Sequence, residues 1–159
     1  MNDWLSVKKK VNLIREEQVS EAAKTALQTY LMNLPVPKKV ELAARGNKEV
    51  RLILSRDASS MVARAVIASP RLGEADILTF ASSPLTNEEI LRAIGENREW
   101  MSNSRLLSVL VSNPRTPPPL VLKLLPRLPK NGLAQLSRNP NVSMVVRREA
   151  KRILISTRT

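Results

Sequence analysis

The chain of 159 residues contains no histidine and no cysteine. These absences exclude zinc and iron–sulfur ligation by imidazole or thiolate, disulfide bonds, cysteine nucleophiles, and any relay in which histidine activates serine or cysteine. Acid–base chemistry would have to rest on Asp, Glu, Lys or Tyr, and no cluster of these residues stands out. The sequence therefore predicts a protein that is not an enzyme and that holds no cofactor or metal.

Aromatic residues and glycines are also scarce, at 3% aromatics and four glycines. A platform for single-stranded nucleic acid needs several aromatic side chains on which bases stack, and the aromatics of this chain are scattered. No glycine-rich loop that could cradle a phosphate is present. No apolar run approaches the ~20 residues of a membrane-spanning helix. The run that follows the lysines at 8–10 is too short for the core of a signal peptide, so we expect a cytoplasmic protein.

What the sequence does contain is helical periodicity, because apolar residues recur at steps of three and four almost throughout. The clearest stripe runs from Val19 to Leu34 and stops at Pro35-Val36-Pro37, which cannot continue a helix. A shorter stripe precedes it, at Trp4, Val7, Val11 and Ile14. We expect residues 1–34 to form a leading helical pair and residues 38–159 to form a helical-repeat domain, within one compact molecule.

From residue 38 onward, short apolar blocks end repeatedly in a small or polar residue, often followed by proline. Asn, Asp and Ser cap helices, and proline prevents continuation, so each ending predicts a helix boundary. The endings are Arg45-Gly46-Asn47, Leu54-Ser55-Arg56-Asp57, Ile67-Ala68-Ser69-Pro70, Ala81-Ser82-Ser83-Pro84, Ile94-Gly95-Glu96-Asn97, Val111-Ser112-Asn113-Pro114 and Leu136-Ser137-Arg138-Asn139-Pro140. We also expect Thr86 to cap a helix in a capping box with Glu89, and Thr116-Pro117-Pro118-Pro119 to begin another.

Two segments of the chain have similar sequences. Residues 62–71 align without gaps on residues 106–115, and each block is followed by two further short helical segments. Helices this short need neighbours to bury one face, so a stack of two-helix units, an α-solenoid, is the predicted all-α architecture. The alternative is an irregular helical globule in which the Ser-Pro and Asn-Pro pairs are ordinary helix stops.

The recurring blocks Val66-Ile67-Ala68-Ser69-Pro70, Leu110-Val111-Ser112-Asn113-Pro114 and Leu136-Ser137-Arg138-Asn139-Pro140 carry a family resemblance. Over about residues 40–155 the chain resembles the leucine-rich repeat variant family and, more broadly, HEAT-like helical repeats. The resemblance implies a right-handed curved stack of short helices, some of them 3₁₀, and no particular activity. Some proteins of this type carry a cysteine-ligated iron–sulfur cluster, which this chain lacks the residues to hold.

Positive charge is concentrated at one end of the chain. The formal net charge is +12, and residues 101–159 hold eleven basic residues against the single acid Glu149. The candidate binding residues there are Arg115, Lys123, Arg127, Lys130, Arg138, Arg147, Arg148, Lys151 and Arg152. A helical wheel places the last four opposite an apolar half formed by Val142, Val145, Val146, Ala150, Ile153 and Leu154. Such a surface attracts phosphates or acidic protein.

We expect this surface to bind an acidic protein partner, which makes the chain an interaction or scaffold module. A binder of DNA or RNA backbones without sequence preference is the alternative, as is the solvated exterior of a terminal helix. Trp100, in the longest insertion between units, is either an exposed anchor for a partner or a buried plug. The early stripe beside the lysines at 8–10 suits an interfacial membrane helix, but we expect it to pack on the next helix.

Overall fold

The computed structural model describes residues 12–16 and 18–157, and every regular element within them is a helix. The predicted all-α class is thereby confirmed. The ten α-helices in these residues are α1 (Glu21–Met32), α2 (Val36–Arg45), α3 (Lys48–Leu54), α4 (Ser60–Ile67), α5 (Glu74–Ser82), α6 (Glu88–Glu96), α7 (Ser104–Ser112), α8 (Pro118–Leu124), α9 (Lys130–Arg138) and α10 (Met144–Ser156). Two 3₁₀ helices, Trp100–Ser102 and Leu125–Arg127, lie before α7 and after α8.

The chain divides into two compact units, Met1–Asp76 and Ile77–Thr159. In the first unit, α1 contacts α3 and α2 contacts α4. In the second, α6 contacts α8, α8 contacts α10, and α7 contacts α9. Consecutive helices also contact each other, as α2 does α3 and, most extensively, as α9 does α10. These helices therefore pack both on the next helix and on the helix two positions further along the chain.

Each unit has its own core of fully buried aliphatic side chains. Leu27, Leu31 and Val50 are inaccessible to solvent in the first unit, as are Leu91 and Leu110 in the second. No helix of the described residues is long and apolar enough to cross a membrane.

The helix boundaries expected from small and polar residues are confirmed. Seven helices end within the predicted blocks, at Arg45, Leu54, Ile67, Ser82, Glu96, Ser112 and Arg138. The helix predicted from the proline run begins at Pro118, with Pro117 as its cap. Asparagine and serine side chains accept amide hydrogen bonds at several helix starts, as Asn47 does from Val50 at 3.1 Å. The boundaries were predictable because capping depends on residues that are adjacent in sequence.

The expected capping box is wrong. Asn87 caps α6, accepting from the amide of Glu89 at 2.8 Å, while the buried Thr86 hydroxyl donates to the carbonyl of Phe80 at 2.8 Å. Thr86 belongs to the preceding turn because its hydroxyl finds a carbonyl at the end of α5. A helix over the shorter early stripe is not seen at Ile14, which is half-exposed and non-helical. The other three residues of that stripe lie outside the described residues.

One type of turn, which we call the proline turn, recurs after α4, α5, α7 and α9. Its first residue is Ser69, Ser83, Asn113 or Asn139, each followed by proline. In all four turns the side chain of this residue accepts a hydrogen bond from the amide two positions later, at 2.9 to 3.3 Å. The aligned segments 62–71 and 106–115 both consist of the end of a helix and the start of this turn. Since α4 and α7 are three helices apart, the 44-residue offset is not a whole number of helical pairs.

Candidate functional site

The last helix, α10, carries the four cations that the sequence placed on one half of a helical wheel. Its buried side is centred on Val146 and Ala150, which are 2% and 0% exposed. Val145, which was expected on the apolar half, is 60% exposed, and Arg147, which was expected on the polar half, is half-buried. The buried stripe of α10 is therefore narrower than the apolar half of the wheel.

The exposed side of α10 mixes cations with apolar side chains. We call it the outer face of α10, and it consists of Met144, Val145, Arg148, Lys151, Arg152 and Ile155. The three apolar members are among the most exposed large hydrophobic residues described, at 63%, 60% and 58%. On a helix of 3.6 residues per turn, Met144, Arg148, Lys151 and Ile155 follow one another at steps of four, three and four and so share one stripe.

One cation of the outer face is already neutralised. The guanidinium of Arg152 donates two hydrogen bonds to the carboxylate of Glu149, at 2.6 and 2.9 Å. These hydrogen bonds lower the pKa of Glu149 below its ordinary value and raise the pKa of Arg152. Glu149 is the only acid of residues 101–159. Arg148 and Lys151 form no ion pair with any carboxylate of the described residues.

The other predicted cations lie on different elements from α10. Arg115 lies in the turn between α7 and α8, and Arg138 is the last residue of α9. Lys130 begins α9, at the opposite end of a nine-residue helix from Arg138, or roughly 12 Å along its axis. The ammonium of Lys130 lies 3.4 Å from the carbonyl oxygen of Thr157, which places it beside the C-terminal end of α10.

Two further cations lie near the 3₁₀ segments. Arg127 is the last residue of the second 3₁₀ helix and donates to the carbonyl of Met101, in the first 3₁₀ helix, at 3.2 Å. Lys123 lies in the last turn of α8 and is exposed. The nine predicted cations are therefore spread over α8, α9, α10, the second 3₁₀ helix and the turn between α7 and α8.

Trp100 is neither a fully exposed anchor nor a fully buried plug. It begins the first 3₁₀ helix, is half-buried, and its amide donates to the side chain of Asn97 at 3.0 Å. Its neighbour Met101, at 2% exposed, fills the core instead. The irregular connection thus uses methionine for packing and leaves part of the indole accessible.

Sequence reasoning missed a buried polar cluster in the first unit. The side chain of Arg51, 4% exposed, pairs with Asp76, 8% exposed, at 3.1 Å. Lys39 and Asp57 form a second enclosed pair at 2.7 Å. Both pairs join residues 18 or more positions apart, so no periodicity within one helix could have indicated them.

The cavities offer little to a small molecule. An open cleft of about 710 Å³ in the first unit is lined by Glu16, Gln18, Val19, Lys24, Lys48 and Glu49. Its two glutamates and two lysines balance in charge. The hydrogen bond that Lys24 donates to the carboxylate of Glu21, reinforced by the negative charge of Glu49, raises the pKa of Lys24. A cavity of about 30 Å³ in the second unit, between the turn at Asn113 and the start of α10, has room for one water.

No group of three or more carboxylates that could hold a metal ion is present among the described residues. Comparisons with protein-family profiles, with curated proteins and with solved structures find no match to this chain.

Proposed function

We propose that the chain is a non-enzymatic interaction module whose outer face of α10 binds an acidic, amphipathic segment of a protein partner. The observation that carries the proposal is the alternation of unpaired cations and exposed apolar residues on one helix face. Arg148 and Lys151 supply positive charge, and Met144 and Ile155 supply apolar area beside it. An amphipathic segment rich in Glu and Leu would use both.

Helical stacking supports the same proposal. An α-solenoid would bring helices two positions apart into contact, and such contacts join α6 with α8, α8 with α10 and α7 with α9 in the second unit, and α1 with α3 and α2 with α4 in the first. Helical stacks of this kind commonly serve as binding modules, through extended concave surfaces. The resemblance to leucine-rich repeat variant and HEAT-like proteins agrees with this architecture.

Nucleic acid is the weaker candidate. Phosphates would use the cations of the outer face but not its methionine, valine and isoleucine, because backbone binding is electrostatic. Residues 101–159 contain no aromatic residue, and the half-buried Trp100 lies just before them, so stacking of successive bases has no support.

Two fluorescent probes of equal negative charge distinguish peptide binding from nucleic-acid binding. One is an amphipathic peptide of Glu and Leu, and the other is a DNA duplex, each titrated by anisotropy at several salt concentrations. We expect the double substitution Arg148→Gln/Lys151→Gln to weaken the binding of both probes. Removal of equal charge in the turn between α7 and α8 and at the end of α9, by Arg115→Gln/Arg138→Gln, is the matched control and should change peptide binding by less than about twofold.

The double substitution Met144→Ser/Ile155→Ser removes apolar surface and best distinguishes peptide binding from duplex binding. We expect it to weaken the peptide about tenfold or more, because two side chains lose apolar contact, and to leave the duplex unchanged. Met61→Ser, at an equally exposed methionine of the first unit, controls for a general loss of apolar surface. If the peptide is unaffected while the duplex binds with a log–log salt slope of roughly −3 to −7, the function is nucleic-acid binding instead.

A further inference from the structure

A short segment of the first unit, residues 12–16, is held almost entirely through its main chain, and we call it the arm. Asn47 is the centre of this recognition. Its side-chain amide donates to the carbonyls of Asn12 at 2.6 Å and Arg15 at 3.1 Å, and its backbone amide donates to the carbonyl of Leu13 at 2.7 Å. Three carbonyls of the arm thus depend on one residue that is 1% exposed.

Two arginines complete the contact. Arg71 donates to the carbonyl of Ile14 at 2.6 Å, so four successive carbonyls of the arm are bound. The carboxylate of Glu16 lies 3.4 Å from Arg71 and 3.5 Å from Arg51 through one oxygen. Its other oxygen accepts from the amide of Lys48 at 3.0 Å.

The arm contributes little side-chain chemistry of its own apart from that carboxylate. Its first side chain, Asn12, folds the arm into a turn by accepting from the amides of Ile14 and Arg15 at 3.0 and 2.9 Å. Ile14 points half of its surface to solvent. Recognition through carbonyls and one carboxylate tolerates many sequences, provided that the turn can form and the fifth residue is acidic.

The binding groups are held in place by contacts that do not involve the arm. Arg51 keeps Asp76 at 3.1 Å and donates to the carbonyl of Gly46 at 3.0 Å. Arg71 donates to the carbonyls of Arg45 at 2.7 Å and Gly46 at 3.3 Å. Without the arm, the side-chain amide of Asn47 would keep neither of its acceptors. The site is therefore preorganised to receive acceptors, which lowers the cost of binding.

We propose that Asn47, Arg51 and Arg71 form a peptide-binding site for a five-residue turn that begins with Asn or Asp and ends with Glu, and that residues 12–16 are its intramolecular occupant. An acidic segment of a partner protein binds by displacing the arm. The arm buries no large apolar side chain completely, and its contacts are polar, which is typical of segments that open locally at low free energy. This site lies in the first unit and does not depend on the outer face of α10.

The test uses the full chain and a fluorescent peptide that copies residues 10–18, titrated by anisotropy. In the native protein the arm competes at an effective concentration on the order of millimolar, so the peptide binds weakly. The substitution Glu16→Gln loosens the arm without altering the site, and we expect the peptide to bind this variant at least about tenfold more tightly. The matched control Glu21→Gln removes an exposed carboxylate from α1 and should leave peptide binding as in the native chain.

Two further measurements identify the chemical groups that make the contact. In the Glu16→Gln chain, a peptide with Gln at the position of Glu16 should bind about tenfold more weakly than the acidic peptide, and Arg71→Gln should cause a loss of similar size. The altered peptide probes the same contact as Arg71→Gln without changing the protein, so the test stands even if that variant fails to fold. Equal affinity of the native and Glu16→Gln chains, or equal affinity for the two peptides, would overturn the proposal.

Discussion

Two buried threonines of the second unit hold proline turns against the preceding helix through hydrogen bonds. Thr116 donates its hydroxyl proton to the carbonyl of Leu110 at 2.7 Å, as Thr86 does to the carbonyl of Phe80 at 2.8 Å. Val142 holds the corresponding place in the third turn of this unit and is 7% exposed. A β-branched side chain fills the turn in all three cases, and the hydroxyl adds a bond to the preceding helix in two.

Replacement of Thr116 by valine should cost about 1 kcal/mol of unfolding free energy, because the hydrogen bond is lost while the shape is kept. The loss stays moderate since the carbonyl of Leu110 also accepts from the amide of Asn113 at 3.2 Å. Urea unfolding followed by far-ultraviolet circular dichroism measures it. Thr157→Val, at an exposed hydroxyl bonded to Ile153, is the control and should change stability by less than about 0.5 kcal/mol. Equal losses would contradict the role of the buried bond.

The carboxyl of Glu149 should titrate below 4.5, its ordinary value, because its hydrogen bonds with Arg152 favour the charged form. A carboxyl whose pKa is depressed on folding stabilises the helix above the pKa of the unfolded chain. That contribution is lost as the pH falls below 4.5 and through the lower folded value. Carboxyl-carbon NMR gives the midpoint directly, and Arg152→Gln should move it back toward 4.5. A midpoint unchanged by Arg152→Gln would show that the pair does not persist in solution.

Single residues were the least predictable scale from sequence. The side chains of Asn47 and Thr116 bond carbonyls that no local pattern singles out, and Arg51 meets Asp76 across 25 residues. Such partners are set by how helices pack, which a stripe of apolar residues constrains only loosely. Exposure of Val145 was missed for the same reason, since the width of a buried stripe depends on the neighbouring helices.

At the scale of helices, the sequence was far more informative. Helices α2 to α7 and α9 end within the expected blocks because proline, serine and asparagine act on their own neighbours. The start of α1 was less accurate, since Ser20 caps it at Glu21 although the apolar stripe begins at Val19. At Ile14 the periodic stripe gave no helix because the Asn12 side chain stabilises a turn instead.

Helix α7 depends on Leu110, which is fully buried, as its place in the aligned block suggested. We expect Leu110→Ala to cost about 2–5 kcal/mol of unfolding free energy through lost apolar contact and the cavity left behind. The control is Leu85→Ala, at a leucine that is 58% exposed, which should cost less than about 0.5 kcal/mol. Both are measured by urea unfolding. A loss below about 1 kcal/mol for Leu110→Ala would put the packing of α7 in doubt.

At the scale of the whole chain, positive charge is concentrated in residues 101–159. This surplus was evident from composition, but its division among α8, α9, α10, the second 3₁₀ helix and the turn between α7 and α8 depends on the fold. Only the outer face of α10 combines three cations with three exposed apolar residues among the residues described. The proposed peptide binding therefore depends on this face and not on net charge.

The most direct test of this proposal compares two variants, each of which lacks one carboxylate. Glu149→Gln frees Arg152 on the outer face of α10, and Glu88→Gln frees Arg92 on α6, where the pair is also exposed and spans one helical turn. Both variants raise the net charge by one. The readout is the dissociation constant of the acidic amphipathic peptide, measured by anisotropy in one buffer.

We expect Glu149→Gln to tighten peptide binding about two- to fivefold, because Arg152 then adds an unpaired cation to the proposed binding face, and Glu88→Gln to leave it nearly unchanged. Equal tightening by both variants would show that the peptide responds to overall charge. That result would contradict the assignment of binding to the outer face of α10.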